Sequence, residues 1–150
     1  MISGTDISAF GASQIERATI EAYLATDYRA PADRPLVLHI GRRNAELIAL
    51  YQDLAVDSAS FLTAWNPYSI PQTEPENRAA QQQLLAALDR LGVRHLPALG
   101  ADPSGLWPPE ESCLALGIDI ETAADLGRRF RQNGIVWAGA DAVPRLFLLR

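Results

Sequence analysis

The chain of 150 residues contains no lysine, only one cysteine and only two histidines. The single cysteine, Cys113, excludes an intrachain disulfide and fits a reducing cytosol. His39 and His95 each lie in an apolar segment without another ligand at metal-binding spacing, so we interpret both as structural. No nucleophile motif or phosphate-binding loop occurs either. The sequence therefore predicts neither a metal nor a cofactor.

Basic charge and long apolar runs are also scarce. The formal net charge is −5, and no arginine run exceeds the pairs Arg42–Arg43 and Arg128–Arg129. Duplex nucleic acid requires a basic patch, so we predict no bulk nucleic-acid partner, while one or two arginines would suffice for a single phosphate. No segment is long and apolar enough to cross a membrane, and no signal peptide is recognisable. We expect a soluble, cytoplasmic protein, and the use of arginine alone with abundant alanine indicates a GC-rich bacterial genome.

Length and composition predict one domain over residues 1–150. The chain is 48% hydrophobic and 21% charged, which is ordinary for a globular fold with its own core. No repeat, low-complexity tract or domain boundary interrupts it. We expect disorder only within residues 1–12.

Helix-capping signals and hydrophobic periodicity predict four helices and about six strands. Ser13 with Glu16, and Thr73 with Glu76, form S/T-x-x-E capping boxes, while Asn44 and Asp119 are single N-cap residues. The helices are expected over 13–26, 44–54, 73–92 and 119–133, and the strands over 36–40, 60–65, 94–98, 112–117, 135–137 and 146–149. Residues 28–35 and 100–109 are expected to be loops.

The order of these elements predicts an α+β or α/β fold. A single mixed sheet of about five to six strands would be covered by about four helices, and residues 135–149 would form a C-terminal β-hairpin. We further expect the strand over 112–117 to neighbour the strand over 60–65.

One candidate binding segment lies where a predicted strand leads into a capped helix, because backbone N–H groups and the helix dipole converge there. It supplies amide, hydroxyl, guanidinium and aromatic groups. The candidate ligand-binding residues in it are Trp65, Asn66, Tyr68, Ser69, Asn77 and Arg78. We expect Asn77 to face the strand end that carries Asn66. The alternative is an ordinary Asn-Pro turn whose side chains only hold the backbone.

Two further segments carry polar residues of interest. Glu110 and Glu111 stand at the entrance of a strand, after Trp107 and before Ser112, and only one of the two carboxylates can face a given site. A partly buried carboxylate can act as a general acid or base, so Glu110 is the candidate catalytic residue. Gln132 follows the last helix, where capping does not call for glutamine, while an Asn at 133 suits a left-handed cap.

Together these motifs resemble a bacterial family catalogued as domain of unknown function 3293. The resemblance is carried by residues 65–69 with 76–78, by residues 100–103 with Trp107 and 110–112, and by residues 130–136. It extends from about Tyr23 to the C-terminus. The family pattern Trp-x-Glu-x-Ser has one extra residue here, and Glu110, not Glu111, keeps the spacing to Ser112. The resemblance implies relatives but no established activity.

Two functions remain open at this point. The first is a site for a small polar ligand, such as a nucleotide or nucleoside, in which Asn66, Ser69, Asn77, Glu110 and Gln132 gather; whether it is an enzyme stays open. The alternative is a non-catalytic protein-interaction module that uses exposed Trp65, Tyr68 and Trp107 as anchors. In a third reading, the amides only tie loops together.

Overall fold

A computed structural model describes residues 13–31 and 35–150. Within them the chain forms four α-helices and seven strands, with one short 3-10 helix at Pro67–Ser69. The helices are α1 (Arg17–Ala25), α2 (Ala45–Leu54), α3 (Glu74–Arg90) and α4 (Ile120–Arg129). The strands are β1 (Asp27–Ala30), β2 (Leu36–Leu38), β3 (Ala59–Leu62), β4 (Arg94–Ala101), β5 (Glu110–Leu116), β6 (Gly134–Ala138) and β7 (Arg145–Leu148). The disorder expected for residues 1–12 lies outside the described residues.

The seven strands form one curled sheet in the order β2-β1-β4-β5-β3-β6-β7. Every neighbouring pair is antiparallel, so the expectation of a mixed sheet is wrong. The α+β class and the C-terminal hairpin of β6 and β7 are confirmed. The prediction that the strands now numbered β3 and β5 are neighbours is confirmed as well.

The strand count was underestimated because β1 lies in a segment read as a loop. Its four residues, Asp-Tyr-Arg-Ala, follow α1 directly and precede Pro31, and they show no apolar run. The strand forms because its two neighbours, β2 and β4, satisfy its backbone groups on both sides. The strands β4 and β5 also extend further than predicted, into the expected loop over 100–109 and up to Glu110.

Three of the four predicted N-caps are confirmed. The side chains of Asn44, Thr73 and Asp119 each accept a hydrogen bond from a backbone N–H of the following first turn. The capping box at Ser13 is wrong, because α1 begins only at Arg17 and the Ser13 hydroxyl donates to the carbonyl of Arg150 instead.

The sheet separates two hydrophobic clusters. On one face, α1 and α2 pack over Phe61, Leu114 and neighbouring residues. On the other face, α3 and α4 pack over Cys113 and Ala115. Alternation along β5 decides which side chains meet which cluster. Glu110 and Ser112 therefore project on the α1 side of the sheet.

The remaining sequence predictions concern histidines and membrane spans. His39 lies just after β2 and shares a hydrogen bond of 2.9 Å with Asp27, while His95 in β4 shares one of 2.8 Å with Asp89. In residues 13–31 and 35–150, no group of three or more His, Cys, Asp or Glu side chains could hold a metal ion. None of the described helices is long and apolar enough to cross a membrane.

Candidate functional site

A cavity of about 900 Å³ lies between α1 and the sheet. Tyr23 of α1 forms part of one wall, and Tyr28, Phe61 and Gly100 of the sheet lie opposite it. The loops after β3 and before β5 supply the other lining side chains. A cavity of this size suits a small-molecule ligand.

A row of directly paired residues forms the floor of this cavity. Gly100 of β4 pairs with Tyr28 of β1 on one side and with Glu110 of β5 on the other. Directly opposed residues in a sheet project on the same face, so the side chains of Tyr28 and Glu110 stand on either side of a residue that has none. Gly100 thereby leaves the space between them open.

Glu110 has a half-buried carboxyl group, and little hydrogen bonding offsets the loss of its hydration. Its Oε1 accepts a hydrogen bond of 3.4 Å from Nδ2 of Asn66. Burial raises the pKa of the Glu110 carboxyl above its ordinary value, and the hydrogen bond from Asn66 opposes this shift. The adjacent Glu111 is exposed and projects from the opposite face, so Glu110 is the glutamate that faces the cavity.

Asn77, in the first turn of α3, faces Asn66 in the loop after β3, as expected from the sequence, and the two side-chain amides form a hydrogen bond. Asn77 Oδ1 accepts from the Asn66 backbone N–H at 2.8 Å, and Asn77 Nδ2 donates to Asn66 Oδ1 at 2.8 Å. Asn66 Oδ1 also accepts from the backbone N–H of Gln72 at 3.1 Å. The Asn77 amide is therefore committed to holding the loop, and only Asn66 Nδ2 turns to Glu110.

The turn after Asn66 is strained. Asn66, Tyr68 and Ser69 have left-handed backbone conformations with φ of 45°, 56° and 60°. Such conformations cost free energy in residues other than glycine and concentrate at functional sites. The turn is held by the Tyr68 backbone N–H, which donates to the carbonyl of Arg131 at 2.7 Å.

Ser69 and Gln132 tie this turn to its surroundings. The Ser69 hydroxyl lies 2.6 Å from the Tyr23 hydroxyl, and Asn133 Nδ2 donates to both oxygens. Gln132 Nε2 donates to the carbonyls of Trp65 and Phe130 at 3.3 and 3.2 Å. The predicted left-handed cap at Asn133 is wrong, because Arg131 takes the left-handed conformation. Asn133 is buried, and its side chain holds Tyr23 and Ser69 through hydrogen bonds.

The hydroxyl groups near the floor donate to backbone carbonyls. Tyr28 donates to Tyr23 at 2.6 Å, and Thr26 donates to Ala22 at 2.7 Å. Ser112 donates to the carbonyl of Glu110 at 3.1 Å. Burial raises the pKa of Tyr28, and the nearby Glu110 carboxylate adds to the shift. Tyr28 therefore stays a neutral phenol.

Most of the candidate residues named from the sequence line this one cavity: Trp65, Asn66, Ser69, Asn77, Trp107, Glu110, Ser112 and Gln132. Two lie outside it. Tyr68 is 38% exposed and lies under the Arg150 guanidinium, 4.2 Å from its ring centroid. Arg78 forms an ion pair with Glu74 one helical turn away on the exposed side of α3.

Sequence reasoning missed several lining residues from α1 to β1 and from β4, among them Tyr23, Thr26, Tyr28 and Gly100. Tyr28 and Gly100 were assigned to loops, and no motif marked Tyr23 or Thr26. The usable signal was Gly100 itself, since a glycine inside a strand often marks a close approach of backbone or ligand.

Residues 62–135 match the model of the family described as "Protein of unknown function (DUF3293)". The matched segment contains the turn after β3, the helix α3 and the Glu110 strand, so most of the cavity's polar residues lie within it. The resemblance inferred from the motifs is confirmed for this segment, which is shorter than the extent expected from Tyr23 to the C-terminus. No curated protein and no solved structure matches the chain.

Proposed function

We propose that this protein binds a small polar ligand in the cavity between α1 and the sheet, with Glu110 as the principal polar contact. The observation that carries the proposal is the half-buried Glu110 carboxyl facing open space next to Gly100. Trp65 and Trp107 also line the cavity and supply apolar surface for a flat ligand. Aromatic surface beside convergent polar groups is typical of a ligand site.

A purely structural role accounts for the amides but not for Glu110. Asn77 and Gln132 satisfy backbone groups, as structural residues do. Within residues 13–31 and 35–150, Glu110 accepts only one side-chain hydrogen bond, a long one from Asn66, and burial disfavours its charged form. A group that costs stability where it stands is better explained by a ligand than by the fold.

The alternative, a protein-interaction module, has weaker support. Trp65 and Trp107 are half-buried and line the cavity, so they do not form an exposed flat patch. Tyr68 is exposed, yet Arg150 covers its ring. Interface anchors usually cluster at the centre of a contact surface, whereas Tyr68 lies outside the cavity that Trp65 and Trp107 line.

Acid–base catalysis is a second candidate function of the same cavity. A partly buried carboxyl group with a raised pKa can exchange a proton with a bound ligand, which favours Glu110 as the general acid or base. The proposal keeps the expectations of cytoplasmic location and of no bulk nucleic-acid partner, since they rest on the single cysteine and the net charge of −5.

Filling the cavity from its floor tests the ligand site. A Cβ at Gly100 would lie 3.9 Å from Phe61 and 4.0 Å from Thr26, which is ordinary contact, so the Cβ atom of Gly100→Val meets no clash. Leu99→Val, on the opposite face of the same strand, is the matched control. We expect fragments from a diverse library to raise the melting temperature of the wild type and of Leu99→Val, but not of Gly100→Val.

Two results would refute the ligand site. One is that the same fragments stabilise Gly100→Val as much as they stabilise the wild type. The other is that no fragment stabilises the wild-type protein. Circular dichroism spectra of both variants establish that the fold is retained.

A further inference from the structure

The floor of the cavity offers hydrogen-bond acceptors in place of donors. The hydroxyl protons of Thr26, Tyr28 and Ser112 all go to backbone carbonyls. Only lone pairs of these oxygens remain for a ligand. A bound molecule must therefore donate hydrogen bonds to the floor.

The charges of the described lining have one sign. Glu74 and Glu110 are its ionisable acids, and among the residues of 13–31 and 35–150 that line the cavity there is no arginine or histidine. Arg78 does not line the cavity and is paired with Glu74, and Arg150 is held by Asn133 and Tyr68. An anionic ligand would face Glu110 without a compensating cation, which is unfavourable in a partly desolvated site.

The remaining polar donors of the described lining are neutral. They include the indole groups of Trp65 and Trp107 and the side chain of Gln72. Aromatic faces attract cations, so Trp65 and Trp107 favour a positively charged ligand over a neutral one. Tyr23, Tyr28 and Phe61 add further aromatic surface to the walls.

On the premise that the cavity is a ligand site, we infer that its ligand is a small molecule with a cationic nitrogen group, such as an amidinium, a guanidinium or a protonated amine. The carboxylate of Glu110 accepts hydrogen bonds from that group, and the aromatic walls hold a flat apolar body. A nucleotide does not fit, because its phosphate would meet no cation in the described lining. This narrows the polar-ligand class expected from the sequence.

A series of four benzene derivatives tests the charge preference, because they share one ring and differ in their head group. Benzamidine is cationic, benzamide is neutral, and benzoate and phenyl phosphate are anionic. Binding is measured by isothermal titration calorimetry with the wild-type protein, with Glu110→Gln and with Glu111→Gln. Glu111→Gln removes the same charge from the adjacent residue on the exposed face.

We expect benzamidine to bind most tightly, benzamide more weakly, and both anions not detectably. A charge-assisted hydrogen bond contributes enough that Glu110→Gln should weaken benzamidine binding about tenfold or more. Glu111→Gln should leave the affinity within about twofold, as exposed charges have small effects.

The inference fails if benzamide, benzoate or phenyl phosphate binds as tightly as benzamidine. It also fails if Glu110→Gln binds benzamidine with the affinity of the wild type, or if none of the four compounds binds. The proposed function is judged separately, since a neutral or anionic library fragment that Gly100→Val excludes would uphold the ligand site while rejecting a cationic ligand.

Discussion

Nδ2 of Asn66 donates a hydrogen bond to Oε1 of Glu110 across 3.4 Å. The contact joins the loop that follows β3 to the first residue of β5, two strands that pair antiparallel. The left-handed turn and the carboxyl group of the cavity are thus coupled through one amide. Changes at Asn66 should consequently affect both the stability of the loop and the state of Glu110.

Replacing Asn66 by alanine should lower both stability and ligand binding. The Asn66 side chain accepts hydrogen bonds from the Gln72 backbone and from Asn77, and its loss leaves these donors without that partner. We expect Asn66→Ala to lose about 2 to 3 kcal/mol of unfolding free energy. Asn66→Gly, which tolerates the left-handed backbone, should be about 1 kcal/mol more stable than the alanine variant. Urea denaturation measures both, and wild-type stability in Asn66→Ala would contradict the coupling.

Asn77 should behave as a structural residue. Its side chain is 2% exposed and satisfies the backbone N–H of Asn66. Asn77→Ala leaves that donor without its acceptor and should cost about 2 to 3 kcal/mol in chemical denaturation. A control is Arg78→Ala, the next residue on the exposed side of the helix, which should cost less than about 1 kcal/mol. Equal stability of the two variants would mean that the amide does not hold the loop.

The stability of the wild type relative to Glu110→Gln should depend on pH in a defined direction. Because the folded-state pKa of Glu110 is raised, the folded protein binds its proton more tightly than the unfolded chain does. The stabilising contribution of protonation is present below the unfolded pKa and is lost as the pH rises through the folded pKa. Glu110→Gln should therefore gain stability relative to the wild type as the pH rises from about 4, near the unfolded-state pKa, through the folded-state pKa of Glu110.

The test measures the unfolding free energies of both proteins at several pH values, with Glu111→Gln as a control for net charge. The gap is the unfolding free energy of Glu110→Gln minus that of the wild type. A gap that narrows with rising pH would mean that the carboxylate is stabilised in the fold. In that case Glu110 would be better read as part of a structural network.

The strained turn predicts an order between two variants of Tyr68. Both Tyr68→Gly and Tyr68→Ala remove the ring under Arg150. Only glycine adopts the φ of 56° without a penalty from a Cβ atom. Tyr68→Gly should therefore be more stable than Tyr68→Ala by about 1 kcal/mol, measured by thermal or urea denaturation. Alanine at least as stable as glycine would show that the turn carries no strain.

Local signals in the sequence predicted much of this molecule. The caps at Asn44, Thr73 and Asp119 depend on interactions within one helical turn, so they can be inferred from adjacent residues. The pairing of Asn66 with Asn77 followed from a strand end that meets a helix start. Alternation of side chains in a strand showed that only one of Glu110 and Glu111 can face a given site, and the family resemblance favoured Glu110 through its spacing to Ser112.

The features that were missed depend on distant partners. The strand β1 exists because β2 and β4 pair with it, and nothing within its four residues announces this. The antiparallel order of the sheet is likewise a property of the whole chain. Tyr28 and Gly100 became visible as lining residues only once β1, β4 and β5 were placed side by side. The sequence alone also left open whether the amides of Asn77 and Gln132 bind a ligand or are committed to backbone groups.

A crystal structure of the protein grown with benzamidine tests the central claim most directly, because it locates the ligand and its contacts at once. The account predicts the amidinium within hydrogen-bond distance of the Glu110 carboxylate, with the ring in the cavity beside Trp65 or Trp107. Benzamidine bound only elsewhere, with Glu110 facing nothing but solvent, would contradict the claim that this cavity is the ligand site.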